Sequence, residues 1–269
     1  MLRDASFQQV TTEQIALHIG RRNLYTMPRI NALYTLTLRI VMTISKTHEK
    51  GYTVYCKETN ENLKLLMDKY INKEICGKPL ASGNALRSVE LIEFNARKFI
   101  VKNDREVDPR FEKKLQNFIS GPFYSRLIHK LDTLSPAMRA CTADLYYVAE
   151  KVRFRQCHDV YTLHEYIDGI PLEEINQQNA EDVKQCVLRL HKAGLASNDI
   201  HAGNFIRTPN GELRIIDLSC KGNMKICQAN DILALQRKYN IRIKGKGLTY
   251  TLILFKEKIR SLSRKLRGK

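Results

Sequence analysis

The sequence predicts an α+β protein in two lobes, a small β-rich lobe followed by a larger α-rich one. Strand-like runs, with helices set between them, dominate the chain up to Ile167. Helical spacing dominates after Asn179, interrupted by one short hairpin. No internal repeat and no Pro/Gly-rich linker divides the 269 residues, so the parts are lobes of one folded unit, long enough to bury a substantial core.

The elements follow in order. Gly51 to Glu58 (GYTVYCKE) is β-branched and aromatic enough for a strand, and Leu63, Leu66 and Met67 give the next stretch helical spacing. SVELIEF (88–94) and RKFIVK (97–102) flank Asn95-Ala96 and read as a β-hairpin. A helix is expected from Pro109, with Phe111, Leu115, Phe118 and Ile119 on one face and Gly121-Pro122 closing it; a second is expected over 123–131. Strands are expected over 145–154 and 159–167, broken by Asp168-Gly169 and Pro171. Asn179 is placed to cap a helix that carries Val183, Val187 and Leu190 and ends at Gly194. The next helix is expected to begin near Asp231.

The division that results is an extension over 1–50, a first lobe over 51–164, a second over 165–255 and a basic tail over 256–269. Residues 1–41 hold no motif that can be placed, so they stand as either an extension or an upstream start ahead of Met42.

Lys plus Arg exceed Asp plus Glu by 45 to 28, a net charge of +17, which favours polyanionic partners: nucleic acid, anionic lipid or a phosphorylated glycolipid. Seven scattered cysteines without a CxxC predict neither a disulfide framework nor a zinc site; Cys220 and Cys227 read as incidental, and the expected compartment is a reducing cytoplasm. The first twenty residues lack the order of a signal peptide, and the apolar run 32–44 is broken by Arg39 and too short to span a bilayer. The tyrosines form no spaced base-stacking motif, and no nucleic-acid partner is expected.

The chemistry concentrates in LHKAGLASNDIHAGNFIRTPNGELRIIDLS, residues 190–219. Asp199 and Asn204 stand five apart in a loop, and a hairpin around Pro209-Asn210-Gly211 brings Asp217 back beside Asn204. A carboxylate and an amide oxygen then share a place for a hard cation such as Mg2+, while Asp199 stays free to take a proton from a hydroxyl. The spacing resembles the protein-kinase pattern DxxxxN followed by DFG, here Asp217-Leu218-Ser219, which implies ATP as phosphate donor. In that pattern Lys102 is the phosphate-binding lysine and Glu112 its partner on the following helix. Ser82, Gly83 and Asn84 take the place of the phosphate-covering loop, without a GxGxxG, and backbone at Glu165 and Ile167 in LHEYIDG takes the place of the adenine-binding hinge. His201 is expected to brace the loop rather than bind metal, and His191 to cap or pack.

No APE motif follows Asp217 and the intervening segment is short, which favours a small-molecule or glycolipid acceptor over a protein. In the tail, Leu252, Phe255, Ile259, Leu262 and Leu266 form one stripe among Lys and Arg; such a helix either lies on an anionic membrane or packs its stripe on the second lobe.

SVELIEFNARKFIVK, HDVYTLHEYIDGIPL, LHKAGLASNDIHAGNF and GELRIIDLS together resemble the bacterial lipopolysaccharide core heptose kinases, particularly the heptose(II) kinases, from Gly51 to the C-terminus. The resemblance implies a protein-kinase-like fold and transfer of the ATP γ-phosphate to an inner-core heptose of a lipopolysaccharide acceptor at the cytoplasmic face of the inner membrane, with the chain cytoplasmic and peripheral there. Heptose I, Kdo or a protein hydroxyl are alternative acceptors, and a non-catalytic membrane or nucleic-acid module is the reading from another class. Asn198 stands where related kinases often carry Gly, which requires Asn to adopt a left-handed backbone.

Overall fold

The computed structural model describes residues 44–58, 62–80, 87–105, 121–220, 222–245 and 247–266; of the side chains at 257 and 260–266 nothing is said. The expected helix from Pro109, with Glu112, and the loop residues Ser82, Gly83 and Asn84 lie outside the described residues.

The first lobe is a seven-stranded antiparallel sheet in the order β1-β2-β6-β7-β5-β4-β3. Its strands are β1 (Ile44–Glu49), β2 (Tyr52–Lys57), β3 (Lys78–Pro79), β4 (Arg87–Phe94), β5 (Arg97–Asp104), β6 (Leu145–Arg153) and β7 (Gln156–Glu165). β4 and β5 pair with Phe94 opposite Arg97, as the Asn95-Ala96 turn requires, and both turn residues are left-handed (φ 51° and 58°). β1 pairs with β2 from Ile44 onward, so 44–49 belong to the sheet and not to an N-terminal extension ending at residue 50. Helix α1 (Leu63–Ile71) is capped by Asn62, whose side chain accepts from Leu65 N, and buries Leu63, Leu66 and Met67 on the sheet. Each such side chain contributes about 1.5–3 kcal/mol of burial. Val54, Phe99, Val101, Tyr147 and Leu163 complete that core.

The second lobe contains α4 (Ala180–Lys192), the hairpin β9 (Phe205–Arg207)–β10 (Leu213–Ile215), α5 (Met224–Tyr239) and α6 (Leu248–Leu266). Its core joins Val183, Val187 and Leu190 of α4 to Phe205, Leu213 and Ile215, and also takes in Leu127, Ile128 and Leu131 of α2 (Phe123–Asp132). A short helix α3 (Pro136–Arg139) leads from α2 to β6. The strand β8 (Ile170–Pro171) adds to β9, and Gly169 permits this because a Cβ there would collide with the Arg207 carbonyl.

Three further details differ from the sequence reading. Asn179 precedes α4, but its side chain accepts from Asn176 N and donates to Glu174 O, so it closes the preceding turn instead of capping the helix. α5 starts at Met224, seven residues before Asp231, because Asn223 accepts from Lys225 N and Ile226 N. That earlier start places Cys227 in the first turn of α5, where it forms a disulfide with Cys220, so these two cysteines are not incidental.

Candidate active site

The loop between α4 and β9 is built around a buried carboxylate. Gly194, at φ 73°, ends α4, and Leu195, Ala196 and Ile200 are buried. Asp231 of α5, 1% exposed, accepts from Ser197 N (3.0 Å), Asn198 N (2.7 Å) and His191 Nε2 (2.9 Å). The two amides aim at one carboxylate because Asn198 is left-handed (φ 59°), the conformation that Asn tolerates best after Gly. His191 therefore braces the loop from α4, and Asp231, read in sequence only as a helix start, is its anchor.

Asp199 follows, its carboxylate half-exposed; His201 Nε2 lies 3.8 Å from Asp199 Oδ2. The Asp199 carbonyl accepts from Asn204 Nδ2 (2.9 Å), which leaves Asn204 Oδ1 as an acceptor. Two backbone bonds join this loop to the strand end beyond β10: Ile216 N to Asn204 O (2.8 Å) and Ser219 N to Ser197 O (2.9 Å). Asp217 lies between them at φ 58°, a left-handed residue whose cost of about 1 kcal/mol is carried by the bonds on either side. The hairpin thus sets Asp217 beside Asn204, as its spacing predicts.

Lys102 reaches across from β5, and its Nζ lies 2.8 Å from Asp217 Oδ1. Burial alone would raise the Asp217 carboxyl, but the Lys102 ammonium outweighs it and holds the group below the usual carboxylate range. His164, in β7, shares its Nε2 with Thr162 Oγ1 at 3.0 Å. Its burial, and then the nearby Lys102 charge, push the imidazole down to about 3, so it is neutral at physiological pH.

Glu165, at the end of β7, is a structural crossing point. Its amide donates to Asp144 O (2.9 Å), its Oε2 accepts from Asp144 N (3.0 Å), and Arg214 of β10 forks onto Oε1 (2.8 Å) and Oε2 (2.6 Å). Ile167 is buried with Ala143, Ile206 and the half-buried Ile216 in a small apolar cluster beside Asn204 and Asp217. Spacing gave no signal for this cluster, because Ile206 on a short strand and Ile216 just beyond one read as ordinary core.

Residues 42–269 match the family model described as lipopolysaccharide core biosynthesis protein (WaaY). The chain belongs to the WaaY family. It is 30% identical over 229 residues to the lipopolysaccharide core heptose(II) kinase WaaY of Escherichia coli strain K12, covering 84% of this chain and 98% of that one. A second Escherichia coli protein of the same description is 28% identical over 234 residues, covering 84% and 99%. Among solved structures, WaaP in complex with acyl carrier protein aligns at TM-score 0.42 with 17% identity, over 66% of this chain and 78% of that one. The WaaY match begins two residues before β1, so the β1–β2 hairpin lies within it.

Proposed function

We propose that this chain is an ATP-dependent kinase that phosphorylates a hydroxyl of heptose II in the lipopolysaccharide inner core. The observation that carries the reading is the convergence of Lys102, Asn204 and Asp217 from both lobes, with the half-exposed Asp199 carboxylate on the same loop. Membership of the WaaY family, whose relatives are named heptose(II) kinases, supports the acceptor.

Asp199 accepts the proton of the attacking hydroxyl while its oxygen bonds to the γ-phosphorus and the bond to the ADP oxygen breaks. Lys102 neutralises phosphate oxygens. Asn204 Oδ1 and the Asp217 carboxylate are hard oxygen donors that would hold Mg2+, which would neutralise charge on the phosphate oxygens. Ile206, Ile216 and Ile167 offer the apolar bed for adenine.

Asp199→Ala is expected to lower transfer from labelled ATP to purified core glycolipid by about 10²–10⁴-fold. Unchanged transfer refutes the assignment of the base, and label appearing only on protein refutes the acceptor.

The acceptor is a lipid, and α6 is proposed as the contact with the anionic membrane surface. Leu248 (75% exposed), Leu252 (56%), Phe255 (63%) and Ile259 (50%) form an apolar stripe in solvent beside exposed Lys256 and Lys258. The opposite face is the one that packs, with Tyr250 Oη donating to Gln236 Oε1 of α5. No described helix is long and apolar enough to cross a membrane. Removing residues 256–269, or replacing Leu252, Phe255 and Ile259 by Ser, is expected to weaken binding to anionic vesicles by about tenfold or more. Unchanged co-sedimentation overturns the contact.

A further inference from the structure

Three cavities can be compared. One, lined by Glu49, Lys50, Tyr52 and Asp68, lies in the β1–β2 hairpin and α1. A second, of about 690 Å³, lies under β8 and carries Asp168, Glu173 and Glu174, with its cation Arg207 already held by Asp182 (2.9 Å). The third, of about 580 Å³, lies between the N-terminal end of α4 and the C-terminal end of α5, and its charged lining is Glu181, Lys184, Lys238 and Arg242.

We infer that this third cavity is the seat for an anionic substituent, a phosphate monoester or a sugar-acid carboxylate, on the saccharide that presents the reacting hydroxyl. The inference rests on the kinase reading above and adds to it the place and chemistry of acceptor recognition.

Three observations carry it. The first is charge. Lys184 is neutralised by Glu181 at 2.8 Å, whereas Lys238 and Arg242 are exposed and have no carboxylate partner among the described residues. The cavity therefore presents two cations that are not already matched, while the cavity under β8 presents acids. The second is position. Tyr239, which lines the cavity, donates from its hydroxyl to the carbonyl of Ile200 at 3.2 Å, one residue from Asp199. Burial, and then the Asp199 carboxylate, raise the Tyr239 hydroxyl. A sugar in the cavity thus has its neighbour at the catalytic loop. The third is lining. Tyr239 and Ile241 supply an apolar surface for a sugar face, and Asn176 and Gln177 supply amides for its hydroxyls.

Arg242 is six residues before α6, the helix with the exposed apolar stripe.

The test is calorimetric titration of delipidated core oligosaccharide into the full chain, in three forms: native, enzymatically dephosphorylated, and carboxyl-reduced. The wild type is expected to bind the native form about tenfold more tightly than at least one of the others, and that form identifies the anion. Lys238→Gln/Arg242→Gln is expected to remove the difference, and both positions are exposed, so the fold is not at stake. Glu181→Gln, which releases Lys184, is expected to tighten the native form about threefold. Equal binding of all three forms by the wild type overturns the inference, as does a preference that survives the double substitution. Binding is read without ATP, so it is separate from the kinase reading: if binding behaves as stated and no transfer occurs, the kinase reading fails and the anion seat stands.

Discussion

Asp231→Asn tests how the catalytic loop is held, because it removes the anchor while leaving every proposed catalytic group in place. The carboxylate is 1% exposed and accepts three hydrogen bonds at 2.7–3.0 Å, two from consecutive loop amides and one from His191. Hydrogen bonds to a charged group contribute about 1.5–3 kcal/mol each. Asparagine keeps one acceptor oxygen and turns its NH2 group toward donors, so at least one amide is left buried without a partner. The expected loss is about 3 kcal/mol of stability, read as a lower urea midpoint with unchanged slope. The functional loss is larger than this implies. Asp199 directly follows the two anchored residues, and a displacement on the order of 1 Å at a reacting group costs roughly 10²-fold in rate. Activity assayed at low temperature, where the variant is folded, should therefore fall in kcat with little change in KM for ATP, since Lys102 lies on another lobe. Wild-type kcat in a destabilised but folded Asp231→Asn protein would falsify the positioning role and leave Asp231 as a stability residue only.

Lys102→Met removes the main cause of the depressed Asp217 carboxyl, so the acid limb of kcat/KM should move to higher pH while kcat falls about 10²-fold or more. An unmoved acid limb refutes the coupling. His164 is neutral in the fold down to about pH 3, against about 6.5 when unfolded, so protons bind the unfolded chain first. Its contribution to stability is complete above pH 6.5 and declines as pH falls, by about 2 kcal/mol at pH 5. His164→Gln should flatten the difference between pH 7.5 and pH 5 urea midpoints, with Lys102 and Asp217 still in place; an equal slope in both proteins rules His164 out as its source.

The proposed catalytic residues were legible because their signal is local. Asp199, Asn204 and Asp217 are brought together by one loop and one tight hairpin, and Pro209-Asn210-Gly211 announces the turn. Lys102 was legible through its strand, whose hairpin carries a recognisable Asn95-Ala96 turn. β1 was not, since ISKTHE is polar and half-exposed and offers little apolar pattern to read. The β6–β7 turn was misplaced by about two residues because Phe154 and Arg155 adopt φ 50° and 61° without a glycine or asparagine to mark them. Asp231 was invisible for a different reason. Its partners are 33 and 34 residues away along the chain, and nothing about an aspartate in a helix says that two loop amides will point at it. The Cys220–Cys227 bond likewise depends on where α5 starts, which Asn223 decides.

Long-range contacts also explain why the site holds its shape across two lobes. The β5–β7 register fixes Lys102 opposite Thr162, three residues before Glu165. Glu165 is locked reciprocally to the Asp144 backbone and grips Arg214, which stands three residues before Asp217. Asp144 in turn accepts from the fully buried Lys57 ammonium at 2.6 Å, with Arg139 3.7 Å away. A buried ammonium that loses its partner costs about 3–5 kcal/mol, so this arrangement tolerates few alternatives. The distance between Lys102 and Asp217 is thus set through Glu165 and Asp144, by residues that touch neither. The Glu165 amide and carboxylate serve this alignment. The Arg214 fork on Glu165 ties β10 of the second lobe to the end of β7, as the Lys102–Asp217 pair ties the loop after β10 to β5.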